Sequence, residues 1–269
     1  MRVMKCLLLG ILLLGVVRAS VLVGQVDNSK SKVLAKILAQ SQQLILVTTK
    51  DWNAVDGELL RYERVPNERA PTEQVWRAVG DKVAVVVGRS GMAWGSGLHG
   101  VPTTLAKAGD PIKKEGDGRS PAGVFTLSSA FGYAPVEQAT NVKLPYIQAT
   151  ATLECVDDSR SASYNRLAER GNVPNPDWKS SEQMRRDDEL YRWGVVVDHN
   201  AIKPQPDAGS CIFLHIWSGT GKGTAGCTAM EAAKMEELLS WFDLKKKPVL
   251  VQLPQAEFDR LRESLGLPR

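Results

Sequence analysis

At 269 residues the chain is long enough for one large domain with a substantial core. Its formal net charge of +4, with no Lys/Arg stripe interleaved with aromatics, argues against nucleic acid as a partner. Past the N-terminal segment, no stretch is long and uncharged enough to span a bilayer.

The N-terminus has the three parts of a secretory signal: basic Arg2 and Lys5, an apolar run over residues 6–17, and Ala19 two positions after Val17. Cleavage after Ala19 is expected, which would remove residues 1–19 and leave a nearly neutral chain. That chain is expected in the periplasm or cell envelope, as a monomer with no stable membrane span. The remainder divides into an N-terminal helical segment (20–43), one catalytic domain (44–254) and a C-terminal helix (255–269).

Residues 29–43 carry Val33, Leu34, Ile37 and Leu38 at helical spacing and predict an amphipathic helix. From Leu44 the pattern turns β-prone, with strands predicted over 44–49, 59–64, 75–79 and 83–87 and turns at Asp56-Gly57 and Gly80-Asp81. Residues 88–123 are rich in Gly and Pro. Within them, Gly116-Asp117-Gly118-Arg119-Ser120-Pro121-Ala122-Gly123 predicts a tight turn, stiffened by Pro121, that feeds a strand over 124–127. A polar insertion covers 157–177. The capping-box spacing of Ser180 and Gln183 predicts a helix over 180–193. Residues 194–198 and 211–217 are predicted strands, the second almost wholly apolar and therefore central. Met235, Leu238, Leu239 and Phe242 predict a helix that begins just beyond Cys227. Residues 249–253 form the last predicted strand, after which Pro254 opens a helix that Gly266 closes. The expected class is mainly β with flanking helices (α+β), its mixed sheets surrounding a cleft.

Once Cys6 leaves with the signal, Cys155, Cys211 and Cys227 remain. A Cys155–Cys211 bridge with Cys227 reduced, or three separate thiols, both fit that odd number. Cys227 follows Gly226, and a helix starting there would offer N–H groups and a positive dipole end that favour thiolate. His215 closes a buried strand and could serve as base, its second ring N–H held by a backbone carbonyl near Ile216 or Trp217. Either residue alone reads as core. Strand, histidine, glycine-rich loop, Gly-Cys and helix in that order point to a cysteine acyltransferase, with the pair on opposite lips of a cleft.

Other residues weigh less. Asp198-His199-Asn200 reads as a polar turn that could line the cleft, and His99 reads as solvated in its Gly-rich loop. Tyr146 and Trp217 could wall a groove, Arg119 and Lys222 could meet substrate carboxylates, and Cys155-Val156-Asp157-Asp158 with Tyr164-Asn165 forms a polar cluster. No His-x-x-x-His or Cys-x-x-Cys spacing supports a metal, so none is expected.

The chain resembles the L,D-transpeptidases with the YkuD-type catalytic domain, whose signature is a histidine after a buried strand, a loop, and Ser/Thr-His-Gly-Cys. His215 matches the general base, Thr224 the Ser/Thr, Gly226 the glycine and Cys227 the nucleophile. Gly118-Arg119-Ser120-Pro121-Ala122-Gly123-Val124-Phe125 is similar to the family's Thr-Pro-x-Gly-x-Phe turn and strand. Ala225 in place of the motif histidine, and a short gap from His215, mark a divergent branch with a Thr-Ala-Gly-Cys motif. The resemblance spans about residues 44–254. It implies a YkuD-like mixed β-sheet sandwich, no cofactor, and peptidoglycan stem peptides as substrate through a Cys227 thioester. Gly226, Thr224, Ile216, Trp217, Arg119, Tyr146 and His199 are then expected on the oxyanion or substrate side. The alternatives are hydrolysis by the same dyad, as in an L,D-carboxypeptidase, and a non-catalytic murein-binding module.

Overall fold

The computed structural model describes residues 28–269, so the secretory-signal reading over 1–19 lies outside the described residues. Among the described residues, thirteen strands and three α-helices follow one another: α1 (Asn28–Leu38), β1 (Gln43–Thr49), β2 (Asp56–Asn67), β3 (Ala70–Val86), β4 (Met92–Trp94), β5 (Ser120–Gly132), β6 (Tyr146–Gln148), β7 (Leu153–Val156), β8 (Leu167–Glu169), β9 (Ser181–Gln183), β10 (Trp193–Val197), β11 (Phe213–Ile216), β12 (Thr228–Met230), α2 (Ala232–Trp241), β13 (Val249–Pro254) and α3 (Gln255–Leu265). The protein is mainly β, with a mixed sheet and flanking helices.

The large sheet runs β10-β11-β12-β3-β2-β1-β13-β5-β4. β5 pairs with β13 through residues 123–126 and with β10 through residues 127–132, so the hydrogen-bonded path returns to its start. Such closure leaves few open edges. Parallel pairs are β1–β13, β11–β12, β4–β5 and β5–β6. β1 and β13 are buried along almost their whole length, which explains their continuous apolar runs. α3 covers them and packs on α1, while α2 lies against β10 and β11. Buried Phe258, Leu261 and Leu265 in α3, and Leu34 and Leu38 in α1, supply the inward faces.

Several local expectations are corrected. The strands expected over 75–79 and 83–87 are one strand, β3, and the supposed turn at Gly80 is a bulge within it. Leu59 faces Val83 while Arg61 faces Val79. Gly80 has φ +70°, and a Cβ there would stand 2.3 Å from Arg61 Nη2, so the bulge requires glycine. Asp56-Gly57 starts β2 rather than forming a turn. α1 ends at Leu38, because Gln43 already begins β1.

The helix expected over 180–193 is absent. Residues 181–183 pair with β7 as β9, and Gln183 Nε2, expected to join Ser180 in capping a helix, donates instead to Glu154 at 3.0 Å, as does the neighbouring Ser181 Oγ at 2.7 Å. Asp188 then accepts from Leu190 N–H and from Arg186, which turns the following segment back toward β10. Nor does a helix begin directly after Cys227. Thr228–Met230 is fully buried between β11 and β3, which selects a strand, and α2 starts only at Ala232.

A second, three-stranded sheet, β8-β7-β9, grows out of the polar insertion and its flanks. Glu154 sits at its centre, accepting from Arg170, Trp178, Ser181 and Gln183. Burial opposes its charge, but these four donors together hold the carboxyl down at about 2. The sheet is stapled to the start of β11 by a Cys155–Cys211 disulfide, which decides between the two cysteine arrangements and leaves Cys227 reduced. A separate apolar cluster fills the junction and includes Phe131, Leu153, Met184, Tyr191, Phe213 and Cys227.

Candidate active site

The parallel register of β11 and β12 sets Leu214 beside Thr228 and His215 beside Ala229. One step earlier, Phe213 N–H donates to Cys227 Sγ at 3.3 Å. Neighbours across a ladder, and residues two apart along a strand, share a face. His215 and Ala229 therefore share a face, and Cys227, two residues before Ala229 and just ahead of β12, borders the same cavity as His215.

The imidazole is fixed by its neighbour. His215 Nδ1 lies 2.7 Å from Ile216 O, and because a carbonyl only accepts, Nδ1 carries the proton and Nε2 presents its lone pair. Tyr191 packs edge-on against His215, with ring centroids 5.1 Å apart, and also meets Phe131 and Phe213 at 5.6 and 5.7 Å. This aromatic lattice holds the imidazole plane.

The turn that presents Cys227 is clasped at its carbonyl. Thr224 Oγ1 donates to Cys227 O at 2.6 Å and Ser120 Oγ donates to it at 2.8 Å. Thr224 Oγ1 also accepts from Gly226 N–H, and Ser120 Oγ accepts from Gly88 N–H. A Cβ at Gly226 would lie 3.3 Å from both Arg119 O and Ile212 Cδ1, so glycine lets the turn pass close to that strand start.

Cys227 and His215 both line a cavity of about 520 Å³, together with Trp217, Leu190, Tyr191 and Glu182. Burial pushes the thiol up to about 12, and the negative charge of Glu182 adds to that rise. Burial pushes His215 down to about 4. The resting pair is thus neutral thiol and neutral imidazole, rather than the thiolate that a helix N-terminus would have favoured.

Of the other sequence-derived residues, Thr224, Gly226 and Trp217 border the cavity, as does Lys222, and Ile216 contributes its carbonyl. Arg119, Tyr146 and His199 stand apart from it. Arg119 spends its guanidinium on Trp52 O, Met92 O and Asn53 Oδ1. Tyr146 donates to Ala134 O and packs on Trp193. His199 is buried between Ser96 O and Ala208 O, which fixes a loop instead of facing substrate. His99, expected in solvent, is buried with Nε2 2.8 Å from Gly95 O. Among the described residues no group of three His, Cys, Asp or Glu side chains is arranged to hold a metal ion.

Residues 70–251 match the family model of the YkuD L,D-transpeptidase catalytic domain. The chain belongs to the YkuD family. No curated protein matches the chain. The YkuD match runs from the start of β3 into β13, and so contains the cavity, the small sheet and the disulfide. Asp157, from the polar cluster noted in the sequence, borders the YkuD site, whereas Tyr191, Glu182 and Ser120 border or brace it without having been singled out from sequence. Ser120 lay inside the Gly118–Phe125 landmark, which was its one available signal; Tyr191 and Glu182 reach the cavity through tertiary contacts alone.

Proposed function

We propose that this YkuD domain is an exported cysteine acyltransferase acting on peptidoglycan stem peptides, with Cys227 as nucleophile and His215 as general base. The observation that carries the reading is that the two residues line one cavity, with Nδ1 tied to Ile216 O so that only Nε2 can take a proton. Because the pair rests neutral, His215 removes the thiol proton as sulfur attacks the carbonyl carbon of the amide between an L-centre and the terminal D-residue. Gly226 N–H is held by Thr224, which leaves the Cys227 amide as the backbone donor for the oxyanion. The C–N bond breaks, His215 returns the proton to the departing amine, and a thioester remains on Cys227. A side-chain amine of a neighbouring stem then attacks the thioester and gives up a proton through His215 to sulfur, forming a cross-link. Water in the same place trims the stem, so transfer and L,D-carboxypeptidase action share the first half-reaction. Export is supported by the Cys155–Cys211 bridge, which suits an oxidising compartment.

Mass spectrometry tests this directly. The mature chain should acquire a carbapenem adduct on Cys227 and convert muropeptides to cross-linked or trimmed products, and Cys227→Ala should do neither. Turnover by Cys227→Ala removes the mechanism; murein binding by the wild-type chain with neither adduct nor product leaves a binding module.

A further inference from the structure

The cavity beside Cys227 has one wall that carries two carboxylates, Asp157 and Glu182. Glu182 lies opposite Cys155 in the β7–β9 pairing, so its side chain leaves the small sheet on the face that the disulfide ties to β11. It accepts a hydrogen bond from the Tyr191 hydroxyl. Asp157, one residue beyond β7, borders the same cavity, and its Oδ1 is buried without a hydrogen-bond partner. The two carboxylates are close enough for Asp157 to help raise the pKa of Glu182, after burial, which is the larger cause.

Of the cations that line the cavity, Arg186 acts on Glu182 and partly offsets its rise, but its hydrogen bonds go elsewhere. Arg186 is committed to Asp188 through Nε and Nη2 (3.0, 3.2 and 2.9 Å) and lies over the Tyr191 ring. Lys113 is committed to Asp117 and to Lys114 O, at 2.6 and 2.7 Å. Arg89 and Lys222 are exposed on the segments that carry Gly88 and Gly223. Glu115 is already engaged by Tyr164 and Ser210.

We propose that Asp157 and Glu182 form a subsite for the side-chain ammonium of the acylated stem residue. This rests on the acyl-transfer reading above. The proposed acceptor is the side-chain amine of a neighbouring stem, and stems of one kind bring the same amine to the residue acylated on sulfur. An ammonium has three donors and no acceptor, which suits an orphaned carboxylate oxygen beside a second carboxylate. The charge of Glu182 opposes thiolate formation at Cys227, and a bound ammonium cancels that charge. The Tyr191 hydroxyl donates to Glu182, and its ring packs in the apolar cluster that also holds Cys227, so Glu182 is anchored beside the nucleophile. Glu182 is thus a specificity residue for the acylated stem.

The test compares acylation of Cys227 by two stem peptides that differ only at the donor residue, lysine against norleucine, with a carbapenem as an amine-independent control. The wild-type chain should acylate at least about tenfold faster with the lysine peptide, the range of a charge-assisted hydrogen bond. In Glu182→Gln and Asp157→Asn that ratio should fall toward one while carbapenem acylation persists, which reports a folded site. Equal rates for the two peptides in the wild-type chain, with the carbapenem adduct intact, overturn the subsite and leave the acyl-transfer reading standing. A preference seen only when an external amine resolves the thioester overturns it as well. Failure of the peptides and the carbapenem alike overturns both.

Discussion

Burial acts in opposite senses on the two central residues, raising Cys227 to about 12 and lowering His215 to about 4, because each charged form loses its hydration. A preformed thiolate–imidazolium pair would label rapidly at pH 5–7; a neutral pair must ionise during attack. Iodoacetamide labelling of Cys227 in the free chain is therefore expected to be slow at pH 7 and to keep climbing beyond pH 9. A plateau reached below pH 7 would contradict the neutral pair. The same shift has a stability consequence of fixed sign. A histidine with a depressed folded pKa contributes stability that is fully present above the unfolded value of about 6.5 and is lost as pH falls through about 4. His199, also lowered to about 4 by burial, adds to the same window. The melting temperature should accordingly drop between pH 6.5 and pH 4. Much of this residue-level chemistry was legible in the chain, since the carbonyl that orients His215 belongs to the next residue, Ile216. Tyr191 and Glu182 were not legible. They lie 24 and 33 positions before His215, and only the fold brings them to it.

Among the elements, β12 matters most, because it replaces the expected helix and changes how the nucleophile is held. A helix would have offered its N-terminal N–H groups. The strand instead leaves the Cys227 carbonyl to be clasped by two hydroxyls, Thr224 from its own turn and Ser120 from the start of β5. The apolar face of α2 misled the reading: Met235, Leu238 and Leu239 are indeed its buried face, but the pattern does not say where the helix starts. The helix expected over 180–193 failed for a related reason, since the capping-box spacing of Ser180 and Gln183 cannot register that Glu154 on another strand competes for Gln183. By contrast, α3 was readable at both ends, with Pro254 before it and Gly266 at φ +62° after it. The clasp gives a prediction at this scale. Ser120→Ala leaves Gly88 N–H without its buried acceptor and the Cys227 carbonyl with one donor fewer, a cost of about 1–3 kcal/mol. Urea unfolding should show that loss, and carbapenem acylation should slow, while Thr224→Ser, which keeps a hydroxyl, should stay near wild type. An unchanged midpoint and rate in Ser120→Ala would mean that the clasp holds nothing.

The whole molecule is a closed β framework with a small sheet docked on its side, and the candidate site lies along that junction. The sequence showed the framework's strands well, because β1, β11 and β13 carry apolar runs that burial on both faces demands. The docked sheet was hidden in a polar insertion, whose order comes from Glu154 and its four partners rather than from apolar periodicity. Its attachment to the framework depends on the small apolar cluster around Tyr191 and on the Cys155–Cys211 bridge, which spans 56 positions. Closing a loop of that length restricts the unfolded chain by about 4 kcal/mol in the chain-entropy account. The bridge also has a local effect, since Cys155 pairs with Glu182 and Cys211 O lies 3.6 Å from Cys227 Sγ. Replacing both bridged cysteines by alanine should therefore lower stability by up to that amount and, separately, loosen one wall of the cavity. Hydrogen exchange distinguishes the two effects. Amides of β7 and β9 should lose protection by local opening while those of β1 and β13 keep the protection set by global unfolding, and Cys227 acylation should slow before the framework melts. A uniform loss across all strands would assign the bridge to global stability alone, and the small sheet would then owe its place to apolar packing around Tyr191.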